Sequence, residues 1–482
     1  MRGWAGLIGV FVPFLVLLVA SWGPIRGRSL RIFSLFANVV SWLCFVFLAS
    51  GFYLGSRPGL ITSPFSMKAS PWSVDLYLSW DYQSAILSLA VSSVVVCFHF
   101  LSRKTLEGSR ASIAGLSSYL GCLLGALGAG HLFLFSIFFA GSLVPRFVFA
   151  GVDGRDRTIE AIKETAFLGI VALFSLLAVV LIFSDPFKQS LAEWFHLSGA
   201  KYEVLPGAIG FSLLLFAAAI SAGLFPFHGN ARKNYEFETM ERAVPLVLQS
   251  LFGFAILFRF SVGLFSAELK LFSPYLIGLF SVGLAYCAVG FLGSKRARDR
   301  IFWLQQVMNC LVAIGFFSLS RKGWHGAAVL LFFQALAVPF YLIVLSCHER
   351  RENLPVNRIT EYPLLSLSTA AAVLFTLFLP ISVGFYGVLL VVWSLVAEPS
   401  WNLPFVIVSM PIIALAGMGS MFFFMGERDT QGSGSHDLTY EEVLAILPIG
   451  ALLLLLGLLP RLLMDPMGVS VVALLKGLGI SV

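Results

Sequence analysis

The chain has 482 residues, of which 58% are hydrophobic and only 12% charged, with 47 Phe, 44 Gly and a mean hydropathy of +0.91. That charged share is half the roughly 25% of a soluble domain, so an aqueous globule is excluded and lipid must cover part of the apolar surface. The net charge of +7, from 32 Lys plus Arg against 25 Asp plus Glu, sits in short loops between apolar runs; no nucleic-acid partner is implied, only a chain oriented in a bilayer.

A crossing helix needs about 20 apolar residues. Fourteen runs qualify, at 4–22, 30–54, 83–101, 112–130, 131–151, 160–183, 206–226, 243–264, 273–294, 301–318, 324–347, 363–393 with an interruption, 401–424 and 443–464. The first follows a single Arg2 and has no small-residue cleavage site behind it, so it reads as a retained helix. The longest polar stretches, 56–82, 184–205 and 427–442, read as loops. The second holds an amphipathic turn or two over 185–196 suited to the interface, and the third, with Gly432 to Ser435, reads as a linker. The expected class is therefore an all-α polytopic membrane protein of about 14 transmembrane helices with no soluble domain.

Spans four to eight cover 112–264 and spans nine to thirteen cover 273–424, which is 153 and 152 residues. Two five-helix units of equal length are what an internally repeated transporter gives. An N-terminal three-helix segment, 1–111, then precedes them, and a loop with a C-terminal helix, 425–482, follows. Each unit carries a proline at a candidate helix break: Pro226 before Phe227 and His228, and Pro380 shortly before Gly384. Alternate loops hold 19 and 10 Lys plus Arg, which by the positive-inside rule places both termini outside the cytoplasm.

A charge at mid-bilayer costs about 2.5–3.5 kcal/mol and commonly marks a transport path. The span centres hold almost none. Arg146 follows Pro145 in span five, Lys163 and Glu164 open span six, Arg259 lies toward one end of span eight, and His228 follows the Pro226 break. Lys163 and Glu160 form an i,i+3 pair that a plain surface ion pair also explains, and Arg146 and Arg259 are equally open to snorkelling. Uncharged polar groups take the centres instead: Ser221, Gln249 with Ser250, Gln305 with Gln306, and Gln334. The six cysteines form no CxxC pair and no Cys/His cluster, so no metal site is expected, and no nucleophile elbow, P-loop or Rossmann fingerprint points to a cofactor bound by this chain.

Several stretches, in order, resemble the M-type antiporter-like subunit of respiratory complex I (NADH:quinone oxidoreductase), a relative of Mrp antiporter subunits. HLFLFSIFFAGSLVPRF at 131–147 resembles its fifth helix, AGLFPFH at 222–228 its seventh-helix break, and RDRIFWLQQVMN at 298–309 its entry to helix ten. QALA at 334–337 with CHER at 347–350 is similar to helix eleven and its exit, LPISVGFYG at 379–387 to the broken helix twelve, and DYQS at 81–84 to the opening of helix three. The resemblance implies two inverted five-helix repeats with helices seven and twelve broken, assembly beside other membrane subunits in a lipid bilayer, and a central row of charged residues carrying protons.

The charged row is where this sequence departs from the resemblance. The family's helix-five glutamate falls on Ala140, its helix-seven lysine on Ser221, and its helix-eight lysine on Leu251. The helix-eleven positions hold Gln334 and Val338, and the helix-twelve position holds Val388. The loop after His228 reads Gly-Asn-Ala-Arg-Lys-Asn where the family has Pro-Asp-Ala-His. Lys163, Arg259, Glu349 and Arg350 alone match charged positions. Ala, Leu and Val neither gain nor lose protons, and Ser and Gln can order water but store no charge.

The residues thus predict a membrane-arm subunit of a complex I-like assembly in a bacterial inner membrane with a degenerate proton path, structural or weakly conducting and with no catalytic centre of its own. Two other readings stay open: a stand-alone secondary cation/proton transporter, and a scaffold subunit of a membrane-bound hydrogenase or inorganic-carbon uptake complex.

Overall fold

The computed structural model describes the chain except for residues 23–26, 55–60, 70–73, 104–105, 107–108, 152–155, 183–203, 236–239, 351–362, 377, 379–380, 398–402, 405, 411–436 and 478–482. The amphipathic stretch at 185–196, the linker glycines and serines, Pro380 and most of the thirteenth span lie outside the described residues, as does the side chain of Glu160.

Helices α1 (Arg2–Trp22) and α2 (Gly27–Leu54) lead into strands β1 (Ile61–Ala69) and β2 (Val74–Trp80). Then come α3 (Tyr82–Leu101), α4 (Arg110–Gly128), α5 (Leu132–Gly151), α6 (Asp156–Ile182), α7 (Val204–Ala222) and the short α8 (His228–Arg232). The eighth span, α9, is one helical run in pieces. Met240–Leu246 is followed by a 3-10 turn at Val247–Gln249, then Ser250–Ala255, a π-helical Ile256–Ser261 and Val262–Leu264. The second half contains α10 (Ser266–Gly293), α11 (Ala297–Phe317), α12 (Arg321–Glu349), α13 (Pro363–Thr376) and α14 (Val383–Ala397), and α15 (Tyr440–Leu458) and α16 (Arg461–Gly477) close the chain.

Ten of the described helices are long and apolar enough to cross a membrane, and four shorter apolar ones correspond to spans five, seven and the two halves of twelve. The last expected span, 443–464, divides at Pro460: α15 ends before it and α16 begins after it, because Pro cannot continue the ladder of the preceding turn.

The loop expected over 56–82 instead contains an antiparallel hairpin, Ile61 opposite Trp80 and Ala69 opposite Val74. Val74, Leu76, Leu78 and Trp80 alternate with Asp75, Tyr77 and Ser79, a period of two that identifies a strand. Trp80 is fully buried, and its indole fills the space left by Gly6 on α1 and Gly128 on α4.

The apolar stretch of α12 is buried throughout, packed by α3, α9, α11, α13, α14, α15 and α16. The helices α1, α2, α6, α10 and α15 bury only one face and leave side chains such as Phe36, Phe174, Tyr275 and Leu447 exposed, as helices at a lipid boundary do.

Candidate functional site

Helix α7 stops at Ala222 and the chain turns through 223–227 before α8, with Gly223 at φ 65°, a conformation that favours glycine. A helix ended inside a membrane strands its last carbonyls. Here they are taken: Leu224 N donates to Ala219 O at 2.9 Å, Asn230 Nδ2 to Ile220 O at 3.3 Å, and Asn309 Nδ2 from α11 to Ala222 O at 3.1 Å. The second break precedes α14, whose first turn is capped by Ser382 Oγ accepting from Phe385 N at 3.3 Å. Gly384 lies just past that break and packs against the Phe333 ring.

The irregular turn in α9 follows Pro245, which supplies no N–H, and it frees the Leu246 and Val247 carbonyls. Asn234 Nδ2 donates to Leu246 O at 3.5 Å and to Gln249 Oε1 at 3.4 Å. Gln305 Nε2 donates to Val247 O at 3.0 Å, and Tyr235 OH donates to Gln305 Oε1. One residue further along α9, Ser250 Oγ accepts from Gln334 Nε2 at 3.4 Å; the same amide donates to Asn309 Oδ1 at 2.7 Å. Arg146 Nη2 on α5 donates to Asn234 Oδ1. The outcome is a buried row of amides and hydroxyls linking α5, α9, α12 and α11 to the broken end of α7.

Of the expected site residues, Gln249 and Gln334 lie in this row. Ser221 is buried beside the break with its hydroxyl donated to Ala217 O at 2.7 Å. His228 stands off the row, its ring 5.4–5.8 Å from those of Phe225, Tyr286 and Trp303. Pro226 is exposed in the break itself. Lys163 is exposed on α6, and Glu164, also exposed, pairs with Lys233. At the positions aligned with the charged row, Leu251, Val338 and Val388 are buried among apolar neighbours and Ala140 is half-buried.

Among the described residues, several of the other charges pair in two clusters at opposite ends of the bundle. At the arginine-rich end, Arg350 pairs with Glu241 at 2.7 Å and Glu442 at 3.7 Å and donates to Leu101 O, Arg298 pairs with Glu349 at 2.7 Å, and Arg103 pairs with Glu441. At the hairpin end, the Arg259 side chain is 7% exposed and reaches Asp81, Ser79 and Ala129. Neither Arg146 nor Arg259 snorkels.

Sequence reasoning singled out neither Asn234 nor Asn309. Asn309 had a signal, since it stands three residues after Gln306 and four after Gln305 on one helix face.

A bundle of apolar helices in which two spans are broken, with polar side chains bonding the freed backbone groups, is that of an integral multi-pass membrane protein. Solved chains of two membrane complexes share its fold over nearly its whole length. A chain of respiratory complex I from Thermus thermophilus superposes with a TM-score of 0.86 at 20% identity, covering 98% of this chain and 100% of that one. A chain of the Mrp complex from Dietzia sp. gives 0.81 at 17% identity, covering 99% of each. In sequence, the NADH-quinone oxidoreductase subunit M of Rickettsia prowazekii is 27% identical over 402 residues, 79% of this chain and 81% of that one. No family model matches. In sequence the chain is therefore similar to NADH-quinone oxidoreductase subunit M, and in fold to chains of complex I and of an Mrp complex.

Proposed function

We propose that this chain is a membrane-arm subunit of a complex I-like NADH:quinone oxidoreductase, holding the place of a proton-translocating subunit while its own central row conducts weakly or not at all. The observation that carries the second half is the row itself. Amides and hydroxyls bonded to one another and to helix carbonyls stand where a relay needs groups that change charge. The relatives and fold neighbours support the first half, since they are subunits of multi-subunit membrane complexes.

The reading includes two inverted repeats at 112–264 and 273–424, a bacterial inner-membrane location with both termini outside the cytoplasm, lipid and other membrane subunits as partners, and no cofactor of this chain's own. To test it, the tagged chain is purified from native membranes under mild detergent. Quinone oxidoreductase subunits are expected to co-purify. Recovery as a lone chain that drives cation flux after reconstitution would replace this reading with that of a stand-alone transporter.

A further inference from the structure

A second buried polar cluster lies outside the central row, where α2, α3 and α4 meet, and it contains a side chain that titrates. Ser34 and Asn38 on α2, His99 on α3 and Ser117 on α4 are each 1% exposed or less. Ser34 and Asn38 stand four residues apart and so share one face of α2. Ser34 Oγ is 2.9 Å from His99 Nε2 and 2.7 Å from Ser117 Oγ, and Asn38 Nδ2 is 3.3 Å from the same Nε2. On its other side the ring sets Nδ1 2.8 Å from Val95 O.

A carbonyl only accepts, so Nδ1 carries the hydrogen and donates it to Val95 O, which leaves Nε2 of the neutral ring as an acceptor. Its single in-plane lone pair meets two donors, the Ser34 hydroxyl and the Asn38 amide. The Asn38 Oδ1, meanwhile, is buried with no hydrogen-bond partner among the described residues. Reversing that amide brings Oδ1 to Nε2, an arrangement satisfied only when Nε2 bears a hydrogen. Ser34 reverses as readily: its oxygen accepts from Nε2–H and its hydrogen goes to Ser117 Oγ, whose own hydrogen turns to a carbonyl of its helix, as mid-helix serines do. Both groups at Nε2 thus change from donor to acceptor by rotating a hydroxyl or an amide, with no movement of the backbone, and Val95 O accepts in either state.

We infer that His99, with Ser34 and Asn38 as its positioning residues, is a reversible binding site for one proton, separate from the central row. The Nε2 lone pair takes the proton from hydronium, leaving water, and returns it the same way. His99 stands two residues before the end of α3, about 3 Å at 1.5 Å per residue, so the ring is covered yet close to the arginine-rich end of the bundle. Of the charged side chains on the helices packed against this end of α3, Glu241 and Glu442 pair with Arg350, Glu349 with Arg298 and Glu441 with Arg103. Arg28 and Arg31 stand on α2, Arg110 on α4 and Arg242 on α9. Among the described residues none of these bonds to the ring, whose partners are Ser34, Asn38 and Val95. The site rests on this chain's own residues and does not depend on which complex the chain joins.

The test uses the full chain, purified with nitrogen-15 in its histidine rings and placed in lipid nanodiscs. Solid-state magnetic resonance follows the ring nitrogens as the pH is lowered through the ordinary histidine range, and the signals lost in His99→Gln identify the His99 ring. At neutral pH the hydrogen is expected on Nδ1 with Nε2 bare, and acid is expected to convert the ring to the doubly protonated form in one reversible step while the chain stays folded. Asn38→Leu removes the oxygen that accepts from the imidazolium, so proton affinity is expected to fall about tenfold, the loss of one hydrogen bond to a charged group. Asn38→Asp is expected to raise it. A neutral ring with its hydrogen on Nε2, a ring that stays neutral until the chain unfolds, or a midpoint unmoved by Asn38→Leu overturns the site. If Asn38→Leu does not fold, Ser34→Ala takes its place with the same expectation, and an unmoved midpoint there overturns the site as well.

Discussion

The Arg259 guanidinium lies 3.4 Å from the Asp81 carboxylate, 178 residues away in sequence, and the pair fastens the π-helical part of α9 to the start of α3. Asp81 is also the N-cap of α3, accepting from Ser84 N at 3.1 Å, and the second guanidinium nitrogen of Arg259 donates to Ser79 O and Ala129 O, each at 3.0 Å. One side chain thereby joins the hairpin, α3, the end of α4 and α9.

Arg259→Met should therefore destabilise the chain by about 3–5 kcal/mol, because it leaves a carboxylate and two carbonyls without their donor. Arg259→Lys should recover only part of this, since a point charge cannot reach three acceptors with a planar fork. Thermal unfolding of the purified chain checks both. Equal melting of the Lys variant and the parent would show that the fork geometry is unimportant.

Gln334 and Asn309 should behave as one unit. Each single change to Ala is expected to cost about 1–3 kcal/mol, the penalty of orphaning buried polar groups, with Asn309→Ala the worse because it also releases Ala222 O. A double-mutant cycle on unfolding free energy should return a coupling of roughly 0.5–3 kcal/mol. Simple additivity would dissolve the row into independent contacts.

Much of this architecture was readable from residue order, because apolar run length fixes where a chain can cross a bilayer and proline fixes where a helix can fail. The break at Pro226 and the interruption in span twelve both fall where expected. The hairpin was missed because its alternation is short and lies between two long helical runs, where the stronger signal masks it. The polar row was half legible. Gln249 and Gln334 are conspicuous in their spans, but Asn234 sits in a polar loop, and only the fold brings it back under Pro245 and against Arg146. No sequence rule says what a buried arginine will meet, which is why Arg146 and Arg259 looked alike in the sequence, while among the described residues one meets Asn234 and the other Asp81.

The two pairs at the arginine-rich end should separate by burial. Glu349 and Arg298 are 26% and 33% exposed in their side chains, so Glu349→Gln is expected to cost less than about 1 kcal/mol and to be masked by salt. Glu241 and Glu442 are 7% and 3% exposed in their side chains and both are held by Arg350, itself 34% exposed, so Arg350→Gln strips two buried carboxylates of their cation and should cost about 1–3 kcal/mol, more than Glu349→Gln. Melting curves at low and high salt discriminate the two. An Arg350 contribution as small and as salt-sensitive as that of Glu349 would mean that the burial of Glu241 and Glu442 adds nothing.

Gly253 on α9 is packed so closely on α7 that a Cβ there would overlap Ala218 O and the backbone of Ala222. Neither can rotate aside, since both belong to helix backbone at the broken end of α7. Gly253→Ala should then cost about 1–3 kcal/mol or more through overpacking. It should also disturb Asn309, whose amide caps Ala222 O. The folded yield after size-exclusion chromatography and the melting temperature are the measurements, and an unperturbed variant would mean that α7 and α9 approach less closely.

Restoring charge tests the reading of the central row most directly. Ser221 is 3% exposed, its hydroxyl is spent on Ala217 O, and no carboxylate among the described residues pairs with that position. Ser221→Lys places an ammonium there with nothing to neutralise it, and a loss of about 3 kcal/mol or more is expected, seen as a lower melting temperature. Adding Ala140→Glu should not repair the damage, because Ala140 is only half-buried and the rest of the row, Leu251, Val338 and Val388, still holds no ionisable partner. In liposomes loaded with a pH-sensitive dye, the double variant should show no proton uptake beyond the parent. A double variant that melts like the parent and moves protons would mean that the path is intact and that two side chains alone had silenced it.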